Sequence, residues 1–586
     1  MRHLIKKDRS LLLAAAMGRI PCSLCIENAM LLNTLTGECY RADVDVLGEV
    51  IVRVRTGGEA AEQPAKQTLD AQGMYLLPGF LDAHMHIEST LLVPENFGKA
   101  AVTWGTTTVF TDPHEIANVL GVPGVQYMLE SAKRSPLRHF LLVPSCVPSF
   151  PGFETSGAVF TEKEIEALLA QENVIGIAEL MDYIGILNDE PRMKEIIRVG
   201  EHCGAFLQGH APELCGKELC AYLDGGPVSD HESENAAELL EKRRLGMYVD
   251  ARVHSVEEAR ELRNGIEPGL FRDYVSLCTD DSNAYRLATG GHINSAVADL
   301  IEAGMDPIEA VRLGTLNAAH EYSLQDVGAI APGYAADFQL VHSLDFRRKP
   351  AAVFIGGKQV AQDGVFLGQC AAQAFYNMGN TVCLGGISGA DDFRLPAHGR
   401  QTLDVMVVNE GYAEGTVIRR ELPVRQGFAE LPDLQKGALN YLCVLNRHGK
   451  PNKTIALYSG FGLQHGAVAS SIGHDSHNLL LIYADAEDAF VAVKALESCG
   501  GGFCYVCGGK VRALLKLPVA GLMSDLPLAE TARECALLED AVTQARGKPF
   551  TLYDMIFETL PAFPRYTPTD LGVVDGIRKC FMEITK

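Results

Sequence analysis

Two histidines one residue apart, His84 and His86, close the run Leu76-Leu-Pro-Gly-Phe-Leu-Asp-Ala-His-Met-His-Ile-Glu88. Side chains alternate faces along an extended strand, so both imidazoles project to one side, about 7 Å apart along the backbone. Two such rings can grip one divalent ion at roughly 2.1 Å each. A His-x-His pair alone is weak evidence, because unrelated histidines fall at that spacing by chance. It gains weight from how the later apolar runs end. The run 174–179 ends in Glu179, 205–210 in His210, 227–231 in His231 with Glu232 following, and 274–280 in Asp280 with Asp281 following. His84, His86, Glu179, His210, His231 and Asp280 are therefore the predicted metal ligands, with Glu179 placed to bridge two ions. Two divalent ions sharing a water lower its pKa from about 15.7 toward roughly 7. Asp280 can take that proton and pass it to a leaving group. The predicted chemistry is hydrolysis at a carbon bearing a nitrogen leaving group. Glu232 stands either as a catalytic partner for a substrate ring nitrogen or as a solvated rim carboxylate.

For these residues to meet, their runs must be neighbouring strands. Eight apolar runs, 76–84, 105–112, 139–146, 174–180, 205–210, 227–231, 246–251 and 274–280, alternate with helix-forming stretches such as 161–170 and 236–244. Eight strand–helix units in roughly 250 residues predict an α/β fold, a (β/α)8 TIM-like barrel with its chemistry at the C-terminal strand ends. The barrel is expected over 76–333. Residues 18–75 alternate apolar and polar side chains between glycine turns, and the stretches 328–341 and 350–360 return to the same texture. They predict one small β-sandwich domain built from both flanks of the barrel, with a polar, Gly-rich linker around 370–400. Residues 401–586, with a strand at 479–484 and a helix at 486–498, predict an extra α+β domain.

The chain has 586 residues, too many for one core, with 47% hydrophobic and 21% charged side chains, ordinary values for a soluble protein. A net charge of -23 and a pI near 5.2 argue against nucleic-acid and anionic-membrane partners. No apolar run reaches the roughly 18 residues a membrane span needs. The apolar stretch 11–17 sits at the short limit for a signal peptide and reads better as a short amphipathic helix. Sixteen cysteines spread through apolar runs predict reduced thiols and a cytoplasmic protein.

Several blocks resemble a known family. Pro78-Gly-Phe-Leu-Asp-Ala-His-Met-His86 and Thr279-Asp280 resemble the amidohydrolase superfamily. His86-Ile-Glu-Ser, Gly105-Thr-Thr-Thr-Val-Phe-Thr-Asp-Pro-His-Glu-Ile-Ala-Asn-Val, Ala178-Glu-Leu-Met-Asp-Tyr, Gly209-His-Ala-Pro, Asp230-His-Glu and Leu277-Cys-Thr-Asp-Asp are similar to the bacterial adenine deaminases. So are Gly291-His-Ile, Gly473-His-Asp-Ser-His-Asn and Leu517-Pro-Val-Ala-Gly-Leu-Met-Ser near the C-terminus. The resemblance covers nearly the whole chain, less closely over the first forty residues. It implies hydrolysis of adenine to hypoxanthine and ammonia, two Mn or Fe ions or Zn, Glu179 as the bridging ligand, and a homodimer. The rival activity is a cyclic-amide hydrolase of the hydantoinase or dihydroorotase kind, against which Glu179 speaks, since those commonly carry a lysine there. The rival from another class is a catalytically inactive scaffold, which would have lost ligands.

Lesser signals divide. His114 and Glu115, after the second strand, read either as a helix-capping turn or as substrate contacts or an extra metal ligand. His292, in the loop after the eighth strand, is a candidate purine contact. His474, Asp475 and His477 have no place in the barrel; they form a polar turn or close the site from a domain folded over its mouth. His202, His254, His320 and His465 are read as ordinary histidines. Pro21-Cys-Ser-Leu-Cys25 and His86-Ile-Glu88 mimic the two halves of a cytidine-deaminase signature, but in reversed order. Both Cys-x-x-Cys pairs, the second at Cys504 and Cys507, are therefore read as structural thiols.

Overall fold

In the computed structural model, which describes residues 4–5, 7–368, 376–411, 416–562 and 565–586, parallel strands close into a barrel. Phe80–Met85, Thr106–Thr111, Arg138–Val143, Val174–Leu180 and Phe206–Gly209 pair in that order, and Ser229–Asp230, Tyr248–Arg252 and Val275–Cys278 form a second parallel set. Backbone hydrogen bonds join the two sets at both seams. Val228 N–H donates to the Leu207 carbonyl at 3.0 Å, and Asp280 N–H to the His84 carbonyl at 3.0 Å. The second seam lays the end of the eighth strand directly beside the His-x-His pair. Several strands, 80–85, 106–111 and 174–180 among them, are buried along their whole length, as strands covered by helices must be. The expected helices form over Glu162–Leu169, opened by a Thr161–Glu164 capping box, and Ala236–Arg244, capped by Asn235.

The run expected as one strand over 76–84 is two. Tyr75–Pro78 belongs to the flanking sheet, and the barrel strand begins at Phe80. The chain crosses between sheets at Gly79, where a Cβ would lie 2.2 Å from a Thr107 methyl. Only glycine fits so close an approach. Both strands are apolar and buried, so hydrophobic pattern carries no mark of the crossing.

Strands from both flanks of the barrel make one sheet. Its order is Val365–Phe366, Lys358–Gln362, Ala352–Ile355, Phe338–Val341, Tyr75–Pro78, Leu24–Asn33, Glu38–Leu47 and Val50–Arg55, with Gln67–Asp70 also pairing to Leu24–Asn33. Ile26, Leu31, Val44, Leu76 and Phe338 fill its core. The short helix Arg9–Ala16 is capped by Asp8, whose carboxylate accepts from the Ser10 and Leu11 amides at 3.0 and 3.2 Å.

The C-terminal region is built on a six-stranded sheet ordered Lys453–Ser459, Leu439–Leu445, Leu479–Tyr483, Ala467–Ser470, Gly502–Cys507 and Lys510–Lys516. Helix Ala486–Cys499 covers one face, as its alternation with the preceding strand predicts. Part of the linker expected at 370–400, residues 370–375, lies outside the described residues. From Tyr376 onward the chain is packed rather than free, with Val382, Phe393 and Leu395 buried in the core of this sheet.

The sheet's other face shares a core with the barrel. Leu91, Leu92, Val93 and Phe97 pack in one cluster with Val468, Phe503, Leu522 and Met523. Ser524 N–H donates to the Leu91 carbonyl at 2.8 Å, and the Lys579 ammonium reaches Asp182 at 2.8 Å. This seating hangs the loop 473–478 over the strand ends. Among the described residues, no helix is long and apolar enough to cross a membrane.

Candidate metal centre

The His-x-His pair is oriented by a relay that starts at the backbone. Tyr322 donates its hydroxyl proton to the Ala83 carbonyl at 2.6 Å, so its oxygen accepts from Gln208 Nε2 at 3.0 Å. That turns Gln208 Oε1 toward His84 Nδ1, 2.9 Å away. His84 must therefore carry its proton on Nδ1 and present the Nε2 lone pair. His86 is set the same way by the Asp112 carbonyl, 3.0 Å from its Nδ1. The two Nε2 atoms then face one another at 3.2 Å with a lone pair each. Two lone pairs so close repel unless a cation lies against both, and imidazoles held by outer hydrogen bonds are what metal ligation requires.

The remaining predicted ligands complete this arrangement. Asp280 Oδ1 lies 3.4 Å from His84 Nε2 and 3.2 Å from His86 Nε2. Its backbone φ of 50° is left-handed, a conformation that costs a non-glycine residue about 1 kcal/mol or more. Glu179 spans the site. Oε1 is 3.4 Å from His86 Nε2, while Oε2 is 2.7 Å from His210 Nδ1 and 3.3 Å from His231 Nε2. Donor atoms of His84, His231 and Asp280 fall within 4.8 Å of one another, as do those of Glu179, His210 and His231. All six side chains are buried. Burial alone would raise the carboxyl pKa values, but facing charges reverse that. His231 and His210 hold Glu179 well below its usual range, and His84, His86 and Arg252 do the same for Asp280. The chemistry of this donor set, imidazole nitrogens and ionised carboxylates at one point, fits divalent metal binding.

Arg252 is not legible in the sequence as a site residue, because the expected seventh strand, 246–251, stops one residue short of it. Its guanidinium lies 2.7 Å from Asp280 Oδ2 and 2.9 Å from Glu232 Oε2, clamping the two carboxylates. Burial works against ionisation of Glu232, yet Arg252 and the nearby His210 and His231 pull it down to about 2. The available signal was alternation: Tyr248, Asp250 and Arg252 share one face of their strand. The same rule places Gln208 with His210.

His114, Glu115, His474 and His477 meet at the barrel mouth, and His114 and His474 also line the central cavity. Glu115 Oε1 lies 2.9 Å from His474 Nδ1 and 3.4 Å from His114 Nε2, and Glu115 Oε2 contacts His477 Nε2. The loop 473–478 thus closes on the barrel mouth. His292 is displaced from its expected role. Its Nδ1 pairs with Thr106 Oγ1 at 2.9 Å and its Nε2 faces Asp82 Oδ2 at 3.2 Å, which buries it behind the strands. With both nitrogens engaged it does not line the central cavity.

That cavity has a volume of about 730 Å³, ample for a small heterocycle. Its wall carries His86, Glu179, His210, His231, Glu232, Arg252 and Asp280 from the barrel, and His474, Asp475, Tyr553 and Phe557 from the C-terminal region. Tyr553 ties the two together, donating to the Asp281 carbonyl at 3.1 Å. The cysteines among the described residues are unpaired. Cys25 accepts from Arg55 at 3.1 Å, and Cys504 is buried in the C-terminal core.

Residues 75–360 match the amidohydrolase family, and residues 416–580 match the adenine deaminase C-terminal domain. An adenine deaminase of Serratia proteamaculans is 37% identical over 97% of this chain and 96% of its own length. Adenine deaminase 2 of Carboxydothermus hydrogenoformans is 37% identical over 96% and 97%, and an adenine deaminase of Desulfatibacillum aliphaticivorans 35% identical over 96% and 97%. Similar along nearly its whole length to these relatives, the chain belongs to the adenine deaminase family of the amidohydrolase superfamily.

Proposed function

We propose that this protein hydrolyses adenine to hypoxanthine and ammonia at a centre of two divalent ions. Mn or Fe is the expected metal, with Zn the alternative. The supporting observation is the convergence of the buried His84, His86, Glu179, His210, His231 and Asp280, all but His84 lining the central cavity, in a chain of the adenine deaminase family. His84, His86 and Asp280 would hold one ion, His210 and His231 the other, with Glu179 between them. When bound, such ions acidify the attacking water and polarise the reacting carbon.

The chain's own residues supply the rest. Asp280, fixed through Oδ2 by Arg252, keeps Oδ1 toward the imidazoles, where it takes a proton from the water that adds to the carbon bearing the amino group. It returns that proton to the departing nitrogen, so one water is consumed and one ammonia leaves. Glu232, ionised beside Arg252, is placed to hold a proton at a ring nitrogen of the purine. His474, Tyr553 and Phe557 of the C-terminal region line the cavity beside these groups. A protein of this kind is read as a cytoplasmic homodimer, divided at 1–75, 76–333, 334–400 and 401–586.

Ammonia release from adenine, guanine, adenosine, hydantoin and dihydroorotate by Mn- or Fe-loaded protein tests the reading. Turnover of adenine is expected. Turnover of a cyclic amide alone would keep the centre and discard the substrate. Silence with no metal retained would favour a scaffold.

A further inference from the structure

Behind the strand-end centre lies a second group of donors that the proposed reaction does not use. His114 and Glu115 open the helix His114–Leu120 after the second barrel strand, while His474 and Asp475 come from the loop that the C-terminal sheet lowers onto the mouth. All four are buried, between 1% and 4% exposed.

We propose that His114, Glu115, His474 and Asp475 form a third cation site, which takes a divalent transition ion and pins the C-terminal region across the barrel mouth. The candidate donors are His114 Nε2, Glu115 Oε1, His474 Nδ1 and Asp475 Oδ1. His114 Nε2 lies 3.4 Å from Glu115 Oε1 and 3.7 Å from Asp475 Oδ1. His474 Nδ1 lies 2.9 Å from Glu115 Oε1 and 3.8 Å from Asp475 Oδ1. Four ligands held tetrahedrally about 2.0–2.2 Å from one ion stand roughly 3.3–3.6 Å apart. These four separations straddle that range.

Hydrogen bonding gives an independent reason. His114 Nδ1 lies 3.0 Å from Asp112 Oδ2, a carboxylate that accepts its proton and leaves Nε2 as a bare lone pair. That lone pair faces two carboxylate oxygens. His114 Nε2 and Asp475 Oδ2 are buried with no hydrogen-bond partner. Each unsatisfied group of this kind is costly, and a shared cation relieves them together.

His477 is a positioning residue in this arrangement rather than a ligand. The Gly473 amide donates to its Nδ1 at 3.3 Å, so the ring proton sits on Nε2 and is directed at Glu115 Oε2. One Glu115 oxygen is thereby held by His477 and the other is left for the ion. The His474 ring is stacked on Phe557, 4.9 Å between centroids, which fixes its plane. His114 also connects the two centres, since its Nδ1 lies 3.3 Å from Glu179 Oε1.

The full-length protein is loaded with Zn, dialysed free of excess metal and analysed for metal content. It is then crystallised, and anomalous difference maps are recorded at the Zn edge. A peak enclosed by His114, Glu115, His474 and Asp475, besides those at the strand ends, is expected, with close to three ions per chain. His474→Gln and, separately, Asp475→Asn should each lower the count by about one and remove only that peak. A third peak without the strand-end peaks would keep this site and sink the two-ion reading. Strand-end peaks with none among these four donors, in the wild-type crystal, would overturn the third site whatever the variants do.

Discussion

The two donor clusters of this molecule are made in different ways. The strand-end centre draws every ligand from one barrel, on elements whose C-terminal ends the fold brings together by rule. The cluster at His114, Glu115, His474 and Asp475 draws half its donors from the barrel and half from a loop that arrives only because the C-terminal sheet packs on Leu91–Val93. The first is a property of a fold and the second of a docking. The barrel cluster should therefore depend on local outer hydrogen bonds, and the shared cluster on the seating of one region against the other.

The variants follow from that contrast. The largest effect is expected at Asp280. Asp280→Asn should lower kcat for adenine about 10²–10⁴-fold, the scale of a lost proton-transfer group, measured as hypoxanthine formation at saturating metal. Arg252→Gln should come next, at about 10²-fold, because Asp280 and Glu232 lose the clamp that orients both. If its kcat equals wild type, the clamp is structural only.

Gln208→Ala addresses how local the barrel centre is. It breaks the relay from Ala83 through Tyr322 to His84 and should weaken metal retention about 10–100-fold, read by competition with a chelator, with adenine turnover restored at high metal. Wild-type retention in this variant would show that His84 needs no outer support.

The smallest effect probes the seam. Glu154, buried beside Asp475, is pushed up to about 8 by desolvation first and by Asp475 second, against the Ser149 and Phe150 donors. Its pKa is higher folded than unfolded, so the unfolded chain binds fewer protons between about 4.5 and 8. Stability attached to this group is present at low pH and falls as pH rises through that window. Glu154→Gln should flatten the fall in urea midpoint between pH 6 and 8.

The same contrast explains what the sequence made legible. Each strand-end ligand follows directly on an apolar run, so residue type and position declared His84, His86, Glu179, His210, His231 and Asp280 together. Arg252 and Gln208 escaped because they serve through partners distant in the chain, Asp280 and His84, and an arginine or glutamine on a strand has many ordinary uses. His474, Asp475 and His477 have no place in the barrel pattern, while His114 and Glu115 read either as a capping turn or as site contacts. Their meeting depends on a tertiary contact that no periodicity encodes. His292 misled for the opposite reason: it follows the eighth strand, yet Thr106 and Asp82 draw it inward. The strand break at Gly79 was hidden because burial on both sides erased any change of pattern.

The most direct test of the central claim is adenine turnover by metal-loaded protein in heavy-oxygen water, beside Asp280→Asn, with product mass and ammonia measured together. One solvent oxygen in each hypoxanthine, one ammonia per adenine, and loss of both in the variant are predicted. No hypoxanthine from the wild-type protein with metal bound, or undiminished turnover by Asp280→Asn, would contradict the account.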